Sequence, residues 1–249
     1  MADKWNLTPD QWSNVLTNEA TPETVAKNLL KGDYLPWNEI LLQKSEQGET
    51  TLDMGSGRGE NSAMLARQGR RATLLDWSQE NIDYSKRLFQ LMSLEGEFFR
   101  ADMTKPLPFK DNTFDMVFSC GVFEYFTGDT IRSILKEAFR VSRKRVIIMV
   151  PNALSIPYRL GMGYMKATGK WHWGGEVPSY TLKPHFESIH NTKITEFSVG
   201  TRHSLDFLTM PGGGTLRRAC TKLFNLKDHS SPAFLRQGYL LITIAEKMG

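Results

Sequence analysis

Residues 52–59 read Leu52-Asp53-Met54-Gly55-Ser56-Gly57-Arg58-Gly59. A short stretch at 50–52 runs into the acid Asp53, glycines follow at alternate positions, and a helical pattern begins at Glu60. Glycine lets a backbone turn sharply and lets a ligand approach with no Cβ in the way. A strand, a glycine turn and a helix start together form the nucleotide-binding corner of open α/β folds.

Working outward, apolar runs and helical periods alternate. Strands are expected at 50–53, 72–76, 97–101, 114–119 and 145–150, with further strands at 194–199 and 239–245. Helices are expected at 60–68, from the cap Ser78 to about 92, and at 129–141. Such alternation argues for an α/β chain with a parallel sheet, right-handed crossovers and helices on both faces. Residues 1–48 read as amphipathic helices, with Thr8-Pro9-Asp10 and Thr21-Pro22-Glu23 each placing a capping residue before a proline.

The glycine run alone does not choose a ligand. A dinucleotide fingerprint would place a further glycine at position 60, where Glu60 stands. A carboxylate there also disfavours a pyrophosphate at the helix start. Asp53 suits a ligand carrying an ammonium or another cation. Asp76 ends the second expected strand 21 positions after Gly55, the distance at which an acid accepts from ribose hydroxyls. Trp77 beside it can cover an adenine face. Asp102, at the end of the third strand, can accept from an adenine amino group, with Met103 following. Ser119-Cys120-Gly121-Val122 closes the fourth strand, and ligands of open parallel sheets bind outside such strand ends.

These residues resemble the class I S-adenosylmethionine-dependent methyltransferases, of the methyltransferase type 11-like, small-molecule group. The likeness covers residues 50–150 and the final strand. The family's glycine loop corresponds to Asp53, Gly55, Ser56, Gly57 and Gly59. Its ribose acid corresponds to Asp76, with Trp77 beside it, and its adenine-edge acid to Asp102, with Met103 beside it. Cys120 falls among the strand-end residues of the cofactor crevice. The family segment Pro-Phe-x-Asp-x-x-Phe-Asp appears as residues 108–115, and its Val-Leu-Glu-His stretch appears as Val122-Phe123-Glu124-Tyr125, with tyrosine in the histidine's place. The resemblance implies a Rossmann-like, seven-stranded, mostly parallel sheet whose last strand, 239–245, is antiparallel. It implies one methyltransferase domain over 1–249: a helical cap at 1–48, a cofactor core at 49–151, and acceptor or lid insertions at 152–192 and 200–238. It also implies S-adenosylmethionine as cofactor, S-adenosylhomocysteine as product, and methyl transfer to an O or N atom of a small molecule.

The acceptor pocket is expected from what the core lacks. Tyr34, Trp37, Tyr125, Trp171 and Trp173 are its candidate lining, with Tyr180 near them, since aromatic walls suit planar or cationic acceptors. His172, His203 and Glu124 are candidate bases. A nicotinamide-dependent oxidoreductase of Rossmann type, or a non-catalytic module that binds the cofactor, are the competing readings.

Net charge is a mild +4, and the basic run Arg143-Lys144-Arg145 is expected to be a solvated helix-to-strand turn rather than a nucleic-acid patch. No nucleic-acid partner is expected. Cys120 and Cys220 are expected to be free thiols. No Cys/His cluster has zinc spacing, so no metal is expected, and His185 and His190 fall on different helix faces. The opening Met1-Ala-Asp-Lys-Trp5 lacks the pattern of a signal peptide, so a cytoplasmic location is expected. Helices near 154–165 and 216–224 mix apolar residues with Arg and Lys, which suits a lid better than attachment to a membrane surface.

Overall fold

The structure is a computed structural model that describes residues 20–187, 189, 191–223 and 236–248. The capping run Thr8-Pro9-Asp10, His190 and the 224–235 part of the expected lid lie outside the described residues.

Among the described residues, seven strands form one sheet in the order β3-β2-β1-β4-β5-β7-β6. They are β1 (Thr50–Met54), β2 (Arg71–Asp76), β3 (Glu97–Arg100), β4 (Phe114–Cys120), β5 (Ser142–Pro151), β6 (Thr192–Val199) and β7 (Leu240–Lys247). The β1–β2, β2–β3, β1–β4 and β4–β5 pairs are parallel. β7 inserts between β5 and β6 and runs antiparallel to both. The expected sheet is therefore present, with its last strand in chain order lying inside the sheet rather than at its edge.

Both faces of the sheet are covered, and the period-2 alternation of side chains feeds two apolar layers. Leu52, Met54, Val146, Ile148 and Val150 point to one layer, where helix α5 (Gly128–Val141) adds Ile131, Ile134, Leu135 and Ala138. Ile147, Met149, Met116 and Phe118 point to the other. That second layer receives α1 (Pro22–Lys31), α2 (Pro36–Gln43), α3 (Glu60–Arg67) and α4 (Gln79–Leu91). Fully burying one such Leu, Ile or Phe side chain contributes about 1.5–3 kcal/mol.

The helix ends follow sequence chemistry. Thr21 caps α1 by accepting from the Thr24 N–H at 3.3 Å, Pro22 opens the helix, and Gly32 closes it at φ 81°. Ser78 caps α4 in the same way, accepting from the Asn81 N–H at 3.3 Å.

One expectation fails here. Arg143-Lys144-Arg145 is not a turn, because β5 already begins at Ser142. The three cations satisfy buried acids instead. Arg143 pairs with Asp115 at 2.7 Å, while Lys144 and Arg145 reach Glu49 at 2.7 and 2.9 Å. The energetic reason is that Glu49 is only 5 % exposed, and a buried carboxylate needs partners.

Among the described residues, the α-helices after β5 are α6 (Ile156–Ala167), the single turn α7 (Thr201–Ser204) and α8 (Gly213–Leu223). Among the described residues no helix is long and apolar enough to cross a membrane.

Candidate active site

The strand order reverses direction between β1 and β4, which opens a crevice at the carboxyl ends of the parallel strands. A cleft of about 860 Å³ occupies that place. One half is bounded by the glycine loop and the ends of β2 and β4, and the other by aromatic side chains and two glutamates.

The glycine loop turns back on β2. The N–H groups of Gly55 and Ser56 both donate to the Leu75 carbonyl, at 2.8 and 3.1 Å. Gly55 sits at φ 76°, and a Cβ there would lie 2.7 Å from Val122 Cγ2. Gly59 starts α3 from the left-handed region at φ 73°, and its Cβ would meet Ser85 Oγ at 2.6 Å and Leu74 at 2.8 Å. Both glycines are thus required twice, by backbone angle and by space. Arg58 turns to Glu60, at 2.9 Å.

Asp76 is the polar centre of this half. It is 4 % exposed and accepts from Gly57 N–H at 2.9 Å, Ser78 N–H at 2.9 Å and Asn81 Nδ2 at 3.2 Å. Burial pushes its carboxyl above the ordinary range, and the Ser78 and Gly57 amides pull back against that rise. The Ser56 hydroxyl nearby is buried with no hydrogen-bond partner. Trp77, Met103 and Cys120 line the same half, and burial pushes the Cys120 thiol up. Asp102 lines it too, although β3 ends earlier, at Arg100. Asp102 is exposed, and its Oδ1 accepts from the Thr104 N–H and hydroxyl at 2.8 and 2.7 Å.

Asp53 departs from expectation. It is 1 % exposed and does not line the cleft. It lies behind the loop, where Ser62 Oγ of α3 donates to its Oδ2 at 2.9 Å. Burial lifts its carboxyl to about 7; the Ser62 bond works against this and the charge of Asp76 adds to it. A carboxyl on β1 side-chain parity points away from the ligand, so this acid ties strand to helix.

The other half takes its walls from distant parts of the chain. Trp37 of α2, Tyr125, Phe126, Trp173 and Tyr239 line it. The Tyr125 hydroxyl donates to the Trp173 carbonyl at 3.0 Å, and burial followed by the charges of Glu124 and Glu176 pushes that hydroxyl upward. Glu124, in the one-turn 3-10 helix Phe123–Tyr125, and Glu176, in the loop after α6, are each 5 % exposed and line the cleft. The Tyr158 hydroxyl donates a short hydrogen bond to Glu176 Oε1.

Five more of the expected residues lie elsewhere. The Tyr34 hydroxyl accepts from Arg67 at 3.3 Å and Gln68 at 3.4 Å, at the far end of α3. Trp171 does not line the cleft; it packs near Tyr158 with Lys166 5.4 Å above its ring. His172 is exposed, its ring 4.9 Å from Trp173, and does not line the cleft. His203 packs edge-on against Trp37 at 5.1 Å and at a tilt against Tyr239 at 5.4 Å, and does not line the cleft. Tyr180 is 60 % exposed and bonds Arg159 on another face. Of the three candidate bases, Glu124 alone lines the cleft.

Sequence reasoning missed Glu176, Asn61 and Tyr239. Glu176 did leave a trace, as the single acid in the glycine- and aromatic-rich run 168–180. Tyr239 carried none beyond its place at the start of a strand.

S-Adenosylmethionine fits this cradle. Bare glycine backbone, an unpartnered buried hydroxyl at Ser56 and a buried acid at the end of β2 are the groups needed for a nucleoside bearing a zwitterionic, cationic tail. A family model described as a methyltransferase domain matches residues 51–145. No curated protein matches the chain. Among solved structures, the chain is similar to magnesium protoporphyrin IX methyltransferase from Synechocystis PCC 6803 with bound S-adenosylmethionine. Identity is 13 %, over 91 % of this chain and 79 % of that one, with a TM-score of 0.53. It is also similar to a TehB-like S-adenosylmethionine-dependent methyltransferase from Corynebacterium glutamicum, at 16 % identity over 96 % and 100 % and a TM-score of 0.55. The [4+2]-cyclase SpnF matches at 15 % identity over 85 % and 80 %, with a TM-score of 0.54. At these identities the likeness establishes the fold, and one fold hosts different chemistries. The match to a methyltransferase domain over residues 51–145, the sheet order and the cradle agree with one another.

Proposed function

We propose that the chain transfers a methyl group to an O or N atom of a small molecule held in the aromatic half of the cleft. The observation that supports this reading is continuity. The cradle at Gly55, Ser56, Gly57 and Asp76 and the chamber at Tyr125, Trp173 and Glu176 belong to one cavity. The acceptor therefore has a place next to the cofactor without crossing solvent.

The glycine loop, with Ser56, takes the amino-acid end of the cofactor, and Asp76 takes its ribose. Trp77, Asp102 and Met103 take the adenine, and Cys120 lies between the cofactor and the acceptor. When bound, the cofactor supplies a methyl group on a sulfonium, already activated for in-line displacement. The protein's share of the work is alignment and water exclusion. Trp37, Tyr125, Trp173 and Tyr239 supply apolar walls for that purpose. Glu124 is the residue assigned to receive a proton from the acceptor, since its Oε2 is buried without a hydrogen-bond partner. Residues 152–192 and 200–238 are assigned as the acceptor side of a single domain.

Isothermal titration with S-adenosylhomocysteine and with NAD tests the cofactor. Incubation with methyl-labelled S-adenosylmethionine and a fractionated metabolite extract tests the transfer. Micromolar product binding and a labelled small molecule are expected. Tight NAD binding with no response to S-adenosylhomocysteine would overturn the reading.

A further inference from the structure

We propose that Glu124 and Glu176 form a receptor for a cationic nitrogen, so that the methyl acceptor is an amine with an apolar or aromatic body. This rests on the methyltransferase reading and names the substrate class of the same cleft.

The two glutamates stand apart from the other buried acids. Glu49 meets Lys144 and Arg145, and Asp115 meets Arg143. Asp76 is held by two backbone amides and Asn81, and Asp53 by Ser62. Glu124 and Glu176 are each 5 % exposed, yet among the described residues neither has a cationic side chain within ion-pair distance. Glu124 Oε2 has no hydrogen-bond partner at all. Glu176 is half satisfied, through the Tyr158 hydroxyl on its Oε1. Burying unpaired carboxyls is costly, and folding gains nothing from putting two together. Both nonetheless line one cleft, where a ligand can supply the missing charge.

The surroundings select the kind of cation. Tyr125, Phe126, Trp173 and Tyr239 line the same chamber, and aromatic faces attract an ammonium while they bury its carbon skeleton. A divalent metal is poorly served, since Ca²⁺ and Mg²⁺ take about six or more oxygen ligands. Among the described residues no group of three or more acids, histidines or cysteines could hold one. An anionic acceptor group would face two carboxyls.

Proton coupling gives the site a signature. Burial pushes Glu124 well up, with Glu176 adding to the rise, and burial lifts Glu176 to about 8. Titratable groups beside the pair include Cys120, Tyr125, Tyr158 and Tyr239. Cys120 and Tyr125 are themselves pushed upward and carry no charge near neutral pH. The pair thus holds a proton more tightly than ordinary carboxyls do, and an ammonium displaces that proton as it binds.

The test is calorimetry on the full chain saturated with S-adenosylhomocysteine, in two buffers of different ionisation enthalpy near neutral pH. The probes are 2-phenylethylamine, the neutral 2-phenylethanol and the anionic 3-phenylpropanoate. The amine is expected to bind about tenfold or more tightly than either analogue, with release of about one proton. Glu124→Gln and Glu176→Gln should each weaken amine binding about tenfold or more and leave 2-phenylethanol and S-adenosylhomocysteine binding unchanged. Glutamine keeps side-chain volume and, at position 176, an acceptor for Tyr158. The wild-type preference for amine over alcohol tests the proposal without any variant. Equal binding of the probes, absence of proton release, or binding of Mg²⁺ with no binding of the amine would overturn it. Failure of the wild type to bind S-adenosylhomocysteine would instead overturn the methyltransferase reading.

Discussion

Truncating Asp76 to alanine separates its two duties. Within the protein, the carboxyl accepts from Gly57 N–H, Ser78 N–H and Asn81 Nδ2. Removing it strands those donors in a site where the carboxyl itself was 4 % exposed. Each stranded donor costs about 1–3 kcal/mol if it finds no water, so a stability loss of about 2–4 kcal/mol is expected. Under the proposed ribose assignment, the loss toward the cofactor is a charged acceptor for the ribose hydroxyls, worth about 1.5–3 kcal/mol. At about 1.4 kcal/mol per tenfold, S-adenosylhomocysteine binding falls by about 10- to 150-fold. Asp76→Asn separates the effects further. Its amide oxygen still accepts from Ser78, which spares most of the stability, but it lacks the charge and so still weakens the cofactor by about tenfold. Titration calorimetry with S-adenosylhomocysteine, run beside thermal unfolding, reads both quantities. A folded Asp76→Ala protein that binds S-adenosylhomocysteine within about twofold of wild type would refute the ribose assignment.

Other substitutions probe the frame around the cleft. Gly59→Ala places a Cβ 2.6 Å from Ser85 Oγ at φ 73°, so it should cost about 1–3 kcal/mol in thermal unfolding and weaken S-adenosylhomocysteine in parallel; an unchanged Tm counts against the packing argument. The Asp53 carboxyl is raised from 3.8 to about 7, so its favourable contribution is complete below about pH 4 and is lost as pH rises through 7. Asp53→Asn should therefore match wild type near pH 4 and exceed it by on the order of 2–4 kcal/mol near pH 8, in chemical denaturation at both pH values. Asp115 behaves in the opposite sense. Burial would raise it, but the Thr50 amide and the Arg143 guanidinium hold it at about 2. Its contribution is present above about pH 4 and is lost as pH falls toward 2, so Asp115→Ala should cost about 2–3 kcal/mol at neutral pH and much less near pH 2.

The central strands and the helices between them were legible because their signals are local. A glycine at φ 76° followed by another at φ 73° is a backbone requirement that the residue type announces by itself. The Ser78 cap and the alternation of Val146, Ile147, Ile148 and Met149 between two layers are likewise written in neighbouring residues. The run at 143–145 was misread because a basic stretch looks solvated when its partners are not in view. Glu49 and Asp115 lie some 30 to 100 positions away, so nothing near the run announces them.

The cleft divides in the same manner. Loop and strand ends form the half assigned to the cofactor, and a single stretch of sequence implies each of them. Asp53 is the exception, since only the strand's side-chain parity and the position of Ser62 turn it away from the ligand. Tyr34, Trp171, His172 and His203 had suitable side chains in suitable segments, and packing placed them at the back of a wall or on the surface. The sequence by itself thus determined the sheet and the cofactor corner, since strand period, glycine conformation and helix caps act over a few residues. Only the tertiary structure decided the proposed acceptor chamber, where a turn after β4 and a loop after α6 bring Glu124 and Glu176 into one cleft. The pairing of two unpartnered carboxyls is a property of long-range packing, and no periodicity in the chain encodes it.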